Sequence, residues 1–497
     1  LFDFENFIMK YLRKIFITVF FLCFKNFLTG QINYFENNSI FLAEAQYNGY
    51  IKLFPNIELQ KDTTHKWIKR KLFEENLISI NDSIAKISIN PFLDLSIGVD
   101  NGHQTQINFI NTRGITFLAQ IGKNLYISSE FYENQAFLPE YYNLLIDSVK
   151  FLPGNNWVKD YRERGIDYGL AIGRIQWQAT DCMTLETGFN TINLGNGYRN
   201  LILSNDARPY PYLHMVFNYK KKILLGNVTG IAYHNSQIID NVNDNLKNIF
   251  SVNYLTFYPL ETLSISLIDL TIFHPSNGYL RFSPYTFIFV PEIRSILLRK
   301  KPSWSLPGCA FNIELPNNKI YYQCTFNIDD VIANNFKQNF AYQLGFCSNI
   351  KLSDTTFLLS IRAEYNSVGE HAMDNKYPTT YPIHLYQPLG MWQGENFNEL
   401  ILQLNLLIQN NLLQIFTSYQ NIKPSDINIT NKLGNINSIY TSISYTYLIN
   451  KIAGFGAFIE LSDRIALNND FYNKNSLGFK CGIKYLFRDK SLNRWHL

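Results

Sequence analysis

The sequence predicts an all-β membrane fold: an antiparallel transmembrane outer-membrane β-barrel of roughly 16 to 20 strands, preceded by a short N-terminal periplasmic segment. Three observations predict it. Aromatic residues make up 15% of the chain, with 39 Phe and 32 Tyr, and charged residues only 17%, well under the roughly 25% usual in soluble proteins. Mean hydropathy is nonetheless −0.12, which argues against a helical membrane protein, because Asn, Ser, Thr and Gln dilute the apolar residues evenly. Side chains alternate with a period of two over long stretches, as they must in a strand with lipid on one face and a wet lumen on the other. The net charge of +4 is too small and too dispersed to argue for a nucleic-acid partner.

Taken in chain order, residues 1–30 read as a signal peptide starting at Met9. Lys10, Arg13 and Lys14 precede the apolar run IFITVFFLCF (15–24), and Gly30 stands at the expected cleavage edge before Gln31. That run is too short to span a bilayer, which takes about 20 residues; residues 1–8 read as upstream translated sequence. Residues 31–85 have mixed character and read as an N-terminal periplasmic segment, with a short helix expected in THKWIKRKLFEENLI (64–78). From KISINPFLDLSIGVDNG (86–102) onward the period changes to two, and residues 86–487 are assigned to the barrel.

Several hairpins can be counted directly. ITFLAQIGKNLYISSEF (115–131) is strand, Gly-Lys-Asn turn, strand. In LILQLNLLIQ, Leu400, Leu402, Leu404, Leu406 and Ile408 share one face, with Gln403, Asn405 and Gln409 on the other, and Asn410-Asn411 is the expected turn. SIYTSISYTYLINKIAGFGAFIEL (438–461) repeats the design around Asn450-Lys451. The closing strand, SLGFKCGIKYLF (476–487), places Leu477, Phe479, Cys481, Ile483, Tyr485 and Phe487 on one face and Lys480 and Lys484 on the other, leaving 488–497 as a tail. Short turns alternating with longer, Asn- and Pro-rich connections are the asymmetry of outer-membrane barrels.

A search for catalytic chemistry finds little. The eight histidines include no HExxH pair, and there is no GxSxG, Walker loop or SxxK. LGNGYRN lacks the third glycine of a phosphate loop, and Pro209 and Pro211 interrupt any helix after it. Neither an enzyme, a cofactor nor a metal site is expected; acids are plentiful enough that a glycosidase-like carboxylate pair stays open. Outside the signal, Cys182, Cys309, Cys324, Cys347 and Cys481 are widely spaced with no CxxC, and read as buried or lipid-facing small hydrophobes rather than a disulfide framework or metal site. Most aromatics at strand ends read as interfacial girdles. Tyr198, Tyr210, Tyr212, Tyr386 and Trp392 lie in polar loops, where a ring can stack on a sugar.

INLGNGYRNLILSNDARPYPYL (192–213) resembles the Gly-Tyr-Arg element of the Bacteroidetes gliding-motility protein RemB and related capsule-assembly Wzi-like barrels. Three more stretches are similar in the same order: KISINPFLDLSIGVDNG, LPGNNWVKDYRERGIDYGLAIG (152–173), and AEYNSVGEHAM with YPIHLYQPLGMWQGENFNEL (363–400). The sequence departs from the family in the 152–164 loop, which is less basic and Gly-rich, and at Met391-Trp392, where smaller or polar residues are usual. The resemblance implies a non-enzymatic barrel of the cell outer membrane with about 18 strands, within the roughly 16 to 20 that the length allows. Its partners would be outer-membrane lipid, capsular or exopolysaccharide, and gliding or type nine secretion components. A general diffusion porin or transporter is the competing reading.

Within that frame the candidate ligand-binding or loop-pinning residues are Tyr198, Arg199, Asp206, Glu364, Tyr386, Gln387, Asn396 and Glu399. Gly195 and Gly197 are expected to permit a positive-φ turn at the barrel rim, and Arg199 to pair with Glu364 or Glu399. Gln387, Asn396 and Asp206 would offer hydrogen bonds toward the lumen or an external sugar chain. Both roles, pinning an inward-folded loop and contacting glycan, stay open at this stage.

Overall fold

The computed structural model describes residues 67–102, 106–149, 152, 154–155, 158–234, 246–273, 304–327, 338–352, 357–375, 380–385, 387–425, 434–451, 453–467 and 475–486. The expected signal peptide, residues 31–66 and the 488–497 tail lie outside the described residues. Helix α1 (Trp67–Phe73) is shorter than the sequence suggests. It ends where Glu74 and Glu75 both donate their N–H to Arg70 O. The chain then becomes strand β1 (Ile78–Asn81), whose β-branched Ile78 and Ile80 pair opposite Ile89 and Ile87.

The first part of the barrel comprises β2 (Ala85–Asp100), β3 (Gln106–Ile121) and β4 (Leu125–Phe137), then helix α2 (Glu140–Val149) and the short β5 (Lys159–Tyr161). β6 (Gly165–Thr180), β7 (Met183–Asn190), β8 (Tyr210–Tyr219), β9 (Ile223–His234), β10 (Leu246–Leu260) and β11 (Leu263–Ile272) follow. The wall continues through β12 (Trp304–Glu314), β13 (Asn318–Phe326), β14 (Phe340–Leu352) and β15 (Phe357–Val368). A two-residue hairpin, β16 (Ile383–His384) with β17 (Gln387–Pro388), sits apart from the wall. β18 (Phe397–Ile408), β19 (Asn411–Ile422), β20 (Ile436–Asn450), β21 (Phe455–Ala466) and β22 (Ser476–Tyr485) complete the sheet.

Each wall strand pairs antiparallel with its neighbours, and β22 returns to β2 with Leu95 opposite Ile483 and Asp100 opposite Gly478. The result is a closed barrel of 18 strands, to which β1 and β5 are short additions. Closure leaves no open edge, the condition for crossing a membrane with strands. Among the described residues no helix is long and apolar enough to do so.

The two faces sort by parity. On β18, Leu400 and Leu402 are 40% and 47% exposed on the outside, while Glu399 and Ile401, which alternate with them, are fully buried on the inside. A closed sheet with an apolar outer belt belongs in the outer membrane. Tight turns such as 122–124, 181–182, 315–317 and 409–410 lie at one end, and long connections such as 138–164, 191–209 and 369–396 at the other. An even strand number returns both ends of the wall to the short-turn side, which faces the periplasm in bacterial barrels.

Two local expectations differ. The β18–β19 turn is Gln409-Asn410, with Gln409 at φ 54°, and Asn411 already belongs to β19. Tyr485 is buried rather than lipid-facing: it lies beyond the last β2–β22 pair, Leu95–Ile483, and its ring packs 5.1 Å from Phe92 and 5.8 Å from Phe455.

Candidate functional site

The connection 191–209 leaves the wall at Asn190, folds into the lumen and rejoins at Tyr210, directly opposite the residue it left. Its path is set locally. Gly195 adopts φ +143°, and a Cβ there would meet Asn200 Oδ1 at 2.2 Å. Asn200 in turn accepts the Gly197 N–H at 3.1 Å, and Leu194 N–H donates to Leu203 O at 3.0 Å. Gly197 does not have positive φ, contrary to expectation. It is glycine for closeness, because a Cβ would lie 2.0 Å from Arg199 O and 2.4 Å from Gln343 Nε2.

This plug carries its own core. Leu201, Ile202 and Leu203 are 0–1% exposed and belong to one apolar cluster with Leu389, Met391 and Trp392 of the 369–396 connection, and with Leu138 and Ile146 at α2. Burying each such side chain stabilises the arrangement by about 1.5–3 kcal/mol. The two inward segments also join by backbone, Ser204 N–H donating to Leu389 O at 2.9 Å.

Beside that core sits a charged clasp. Arg199 is fully buried. Its Nε donates to both oxygens of Glu399 on β18, at 3.0 and 3.1 Å, and its Nη1 donates to Asp206 Oδ2 at 3.1 Å. The Tyr198 and Trp392 rings lie 5.4 and 5.9 Å from its Cζ. Burial works against the guanidinium's charge, yet Glu399 and then Asp206 hold its pKa above the ordinary value.

Glu364 on β15 plays a different part from the one expected. Its carboxylate accepts the backbone N–H groups of Tyr198, at 2.5 Å, and Arg199, at 3.4 Å, rather than the guanidinium. It also accepts from the Tyr321 hydroxyl at 2.6 Å, Gln343 Nε2 at 3.0 Å and Asn366 Nδ2 at 3.0 Å. Glu399 is completed by Asn366 and Gln420, each donating at 3.0 Å. Asp206 also accepts from Ser204 Oγ at 3.2 Å.

Of the eight candidate residues, Tyr198, Arg199, Asp206, Glu364 and Glu399 come together in the clasp. Gln387 pins a neighbouring segment, accepting the Gly154 N–H at 2.7 Å. Asn396 stands away from the cluster at the start of β18, with φ +56° and its Nδ2 donating to Pro424 O at 3.4 Å. Tyr386 lies outside the described residues. Tyr210 and Tyr212 are buried strand residues rather than loop aromatics: Tyr210 OH accepts the Ile192 N–H at 3.1 Å, and Tyr212 OH donates to Glu186 at 2.5 Å. Sequence reasoning did not single out Tyr321, Gln343, Asn366 or Gln420, since a lumen-facing polar residue in a barrel strand carries no mark of what it binds. The arrangement is closed to solvent: the Glu364 and Glu399 carboxylates each accept several donors, and no clasp side chain other than Tyr198 reaches even 2% exposure. Among the described residues no group of His, Cys, Asp and Glu could hold a metal ion.

No protein-family model and no curated protein sequence matches the chain. Among solved structures it is similar to Wzi of Escherichia coli, an outer-membrane protein involved in group 1 capsule assembly and a carbohydrate-binding β-barrel. The identity is 12% over 78% of this chain and 83% of that one, with a TM-score of 0.49. It is also similar to OccK5 (OpdH) of Pseudomonas aeruginosa, at 7% identity over 80% and 96% of the two chains and a TM-score of 0.39. OprD of the same organism shares 10% identity over 82% and 94%, with a TM-score of 0.38.

Proposed function

We propose that the protein is a non-enzymatic outer-membrane barrel that holds surface polysaccharide at its extracellular end, with its lumen closed to bulk diffusion. One observation carries this reading: the apolar core formed inside the barrel by 191–209, 369–396 and α2. A diffusion channel of this strand number keeps a water-filled lumen, and the fully buried leucines inside this barrel support a filled one. On the outer face of the barrel at its long-connection end, in line with the exposed Ile107 and Phe131, rings and guanidinium groups offer chemistry suited to sugars. Tyr161 lies 6.5 Å from Phe109 and 6.1 Å from Phe137, with Arg162 over its own ring at 5.2 Å and Arg164 over Phe137 at 5.0 Å. Ring faces cover the C–H patches of a pyranose, and guanidinium groups bind hydroxyls and uronate carboxylates. The four ordered sequence elements point the same way and extend the proposal to surface motility.

The test is a deletion strain labelled for surface polysaccharide and scored for spreading. Loss of retained polysaccharide, restored by the wild-type gene but not by the Tyr161→Ala/Arg162→Ala/Arg164→Ala variant, is the expected result. Loss of spreading with polysaccharide unchanged would select the motility role. The competing porin reading draws on the Asn-, Gln- and Thr-rich inner wall, where Asn134, Asn227, Asn253 and Thr256 are buried polar residues. Large ion conductance of the purified protein in planar bilayers would favour it.

A further inference from the structure

Cys309 on β12 and Cys324 on β13 stand directly opposite each other across the hairpin closed by 315–317, with their Sγ atoms 3.2 Å apart. Both leave the sheet on the lipid side. They share parity with Phe311, Ile313 and Ile320, which are exposed on the outer face. Facing residues in an antiparallel pair have Cα atoms about 4.5–5.5 Å apart, inside the roughly 4.4–6.8 Å that a disulfide spans. Side-chain rotation is enough to close the remaining gap. Among the described residues no other two cysteines face each other: Cys347 is opposite Lys319 and Arg362, and Cys481 is opposite Ile97 and Ile459.

The inner face of the same hairpin explains what such a bond would hold. Asn312 and Tyr321 are also directly paired. Asn312 Oδ1 accepts from Asn196 of the plug at 2.6 Å, and the Tyr321 hydroxyl donates to Glu364 of the clasp. A register slip of one residue would turn one of these side chains to lipid and strip the plug of that support.

We propose that Cys309 and Cys324 are joined as a disulfide in the exported protein, locking the β12–β13 register that seats the plug. The oxidant is a periplasmic protein disulfide of the thiol-exchange class. One cysteine thiolate attacks it, forming a mixed disulfide and releasing one donor thiolate. The second cysteine thiolate then attacks the first cysteine's sulfur and expels the other donor thiolate. The pair loses two protons and two electrons, and the donor leaves as a dithiol. Because exchange needs water, the bond forms on the periplasmic chain before the hairpin enters lipid.

Outer membranes containing the full protein are dissolved in denaturant without reductant and alkylated with one reagent, then reduced and alkylated with a second before peptide mass spectrometry. Cys309 and Cys324 are expected to carry only the second label, and Cys182, Cys347 and Cys481 the first. In the Cys309→Ser variant, Cys324 should move to the first label. First-label modification of both Cys309 and Cys324 in the wild type overturns the proposal, as does a linkage of either to another cysteine. Because the readout is taken on unfolded chains, a variant that fails to fold still reports. For the locking role, a membrane-permeant reductant is expected to lower the temperature at which the unboiled protein loses its folded band on SDS gels. The Cys309→Ser/Cys324→Ser variant should show no such response, and an equal response in both proteins overturns that role.

Discussion

Arg199 is tolerable in a barrel interior only as a member of a set. A guanidinium without exposure loses its hydration, and only the bonds to Glu399 and Asp206 return what is lost. Removing one partner therefore costs more than the pair contributes. Glu399→Gln and Arg199→Met should each destabilise the folded barrel by about 3–5 kcal/mol, read as the shift in urea unfolding of vesicle-reconstituted protein. The double variant should cost less than the sum of the two by about 0.5–3 kcal/mol, because Arg199 and Glu399 then leave together and only Asp206 is left without its guanidinium partner. Strict additivity would show that the two side chains do not act as a unit. The sequence pointed to Arg199 and to both carboxylates but left its partner open, and the reason is geometric. Glu364 and Glu399 lie on adjacent strands and both face inward, Asn366 being paired opposite Glu399. The choice between them depends on where the plug backbone runs, and nothing in a strand's own pattern encodes that.

Strands were legible because lipid and lumen write opposite requirements onto alternate residues. β18 shows it at single-residue resolution, and it predicts opposite tolerance at neighbouring positions. Leu402→Lys places an ammonium against hydrocarbon in mid-strand, at a cost of about 2–4 kcal/mol near the bilayer midplane. Gln403→Lys, one residue on and facing inward, should leave the folded band on unboiled SDS gels nearly unchanged. Equal effects at the two sites would contradict the assigned faces. Helix α2 was not legible in the same way. Its buried Tyr142 and Ile146 are spaced i, i+4, but they sit in a short polar stretch between strands, where period-two expectations dominate. The same holds for Leu201, Ile202 and Leu203: a run of three apolar residues inside an otherwise polar connection is the one sequence sign that 191–209 turns inward.

The whole molecule combines two structures with different demands, a wall stable only in lipid and a plug stable only inside the wall. Their junction makes them separable. Since Asn190 and Tyr210 are paired neighbours, the segment between them can be replaced by a short Gly-containing turn without disturbing the register of β7 and β8, just as two-residue turns connect strands elsewhere. Excising 192–208 in this way removes Arg199, Asp206 and the apolar run together, and leaves Glu399 and Glu364 facing water instead of an unpaired buried charge. The barrel should still migrate as a folded band, because wall hydrogen bonds are untouched. Its single-channel conductance in planar bilayers should rise severalfold over the wild type, as expected when a barrel wide enough for an aqueous channel loses its filling. A rise in conductance would make 191–209 the element that closes the lumen. An unchanged low conductance in a folded variant would instead transfer that role to α2 and 369–396, whose Leu389, Met391 and Trp392 form the remainder of the same core.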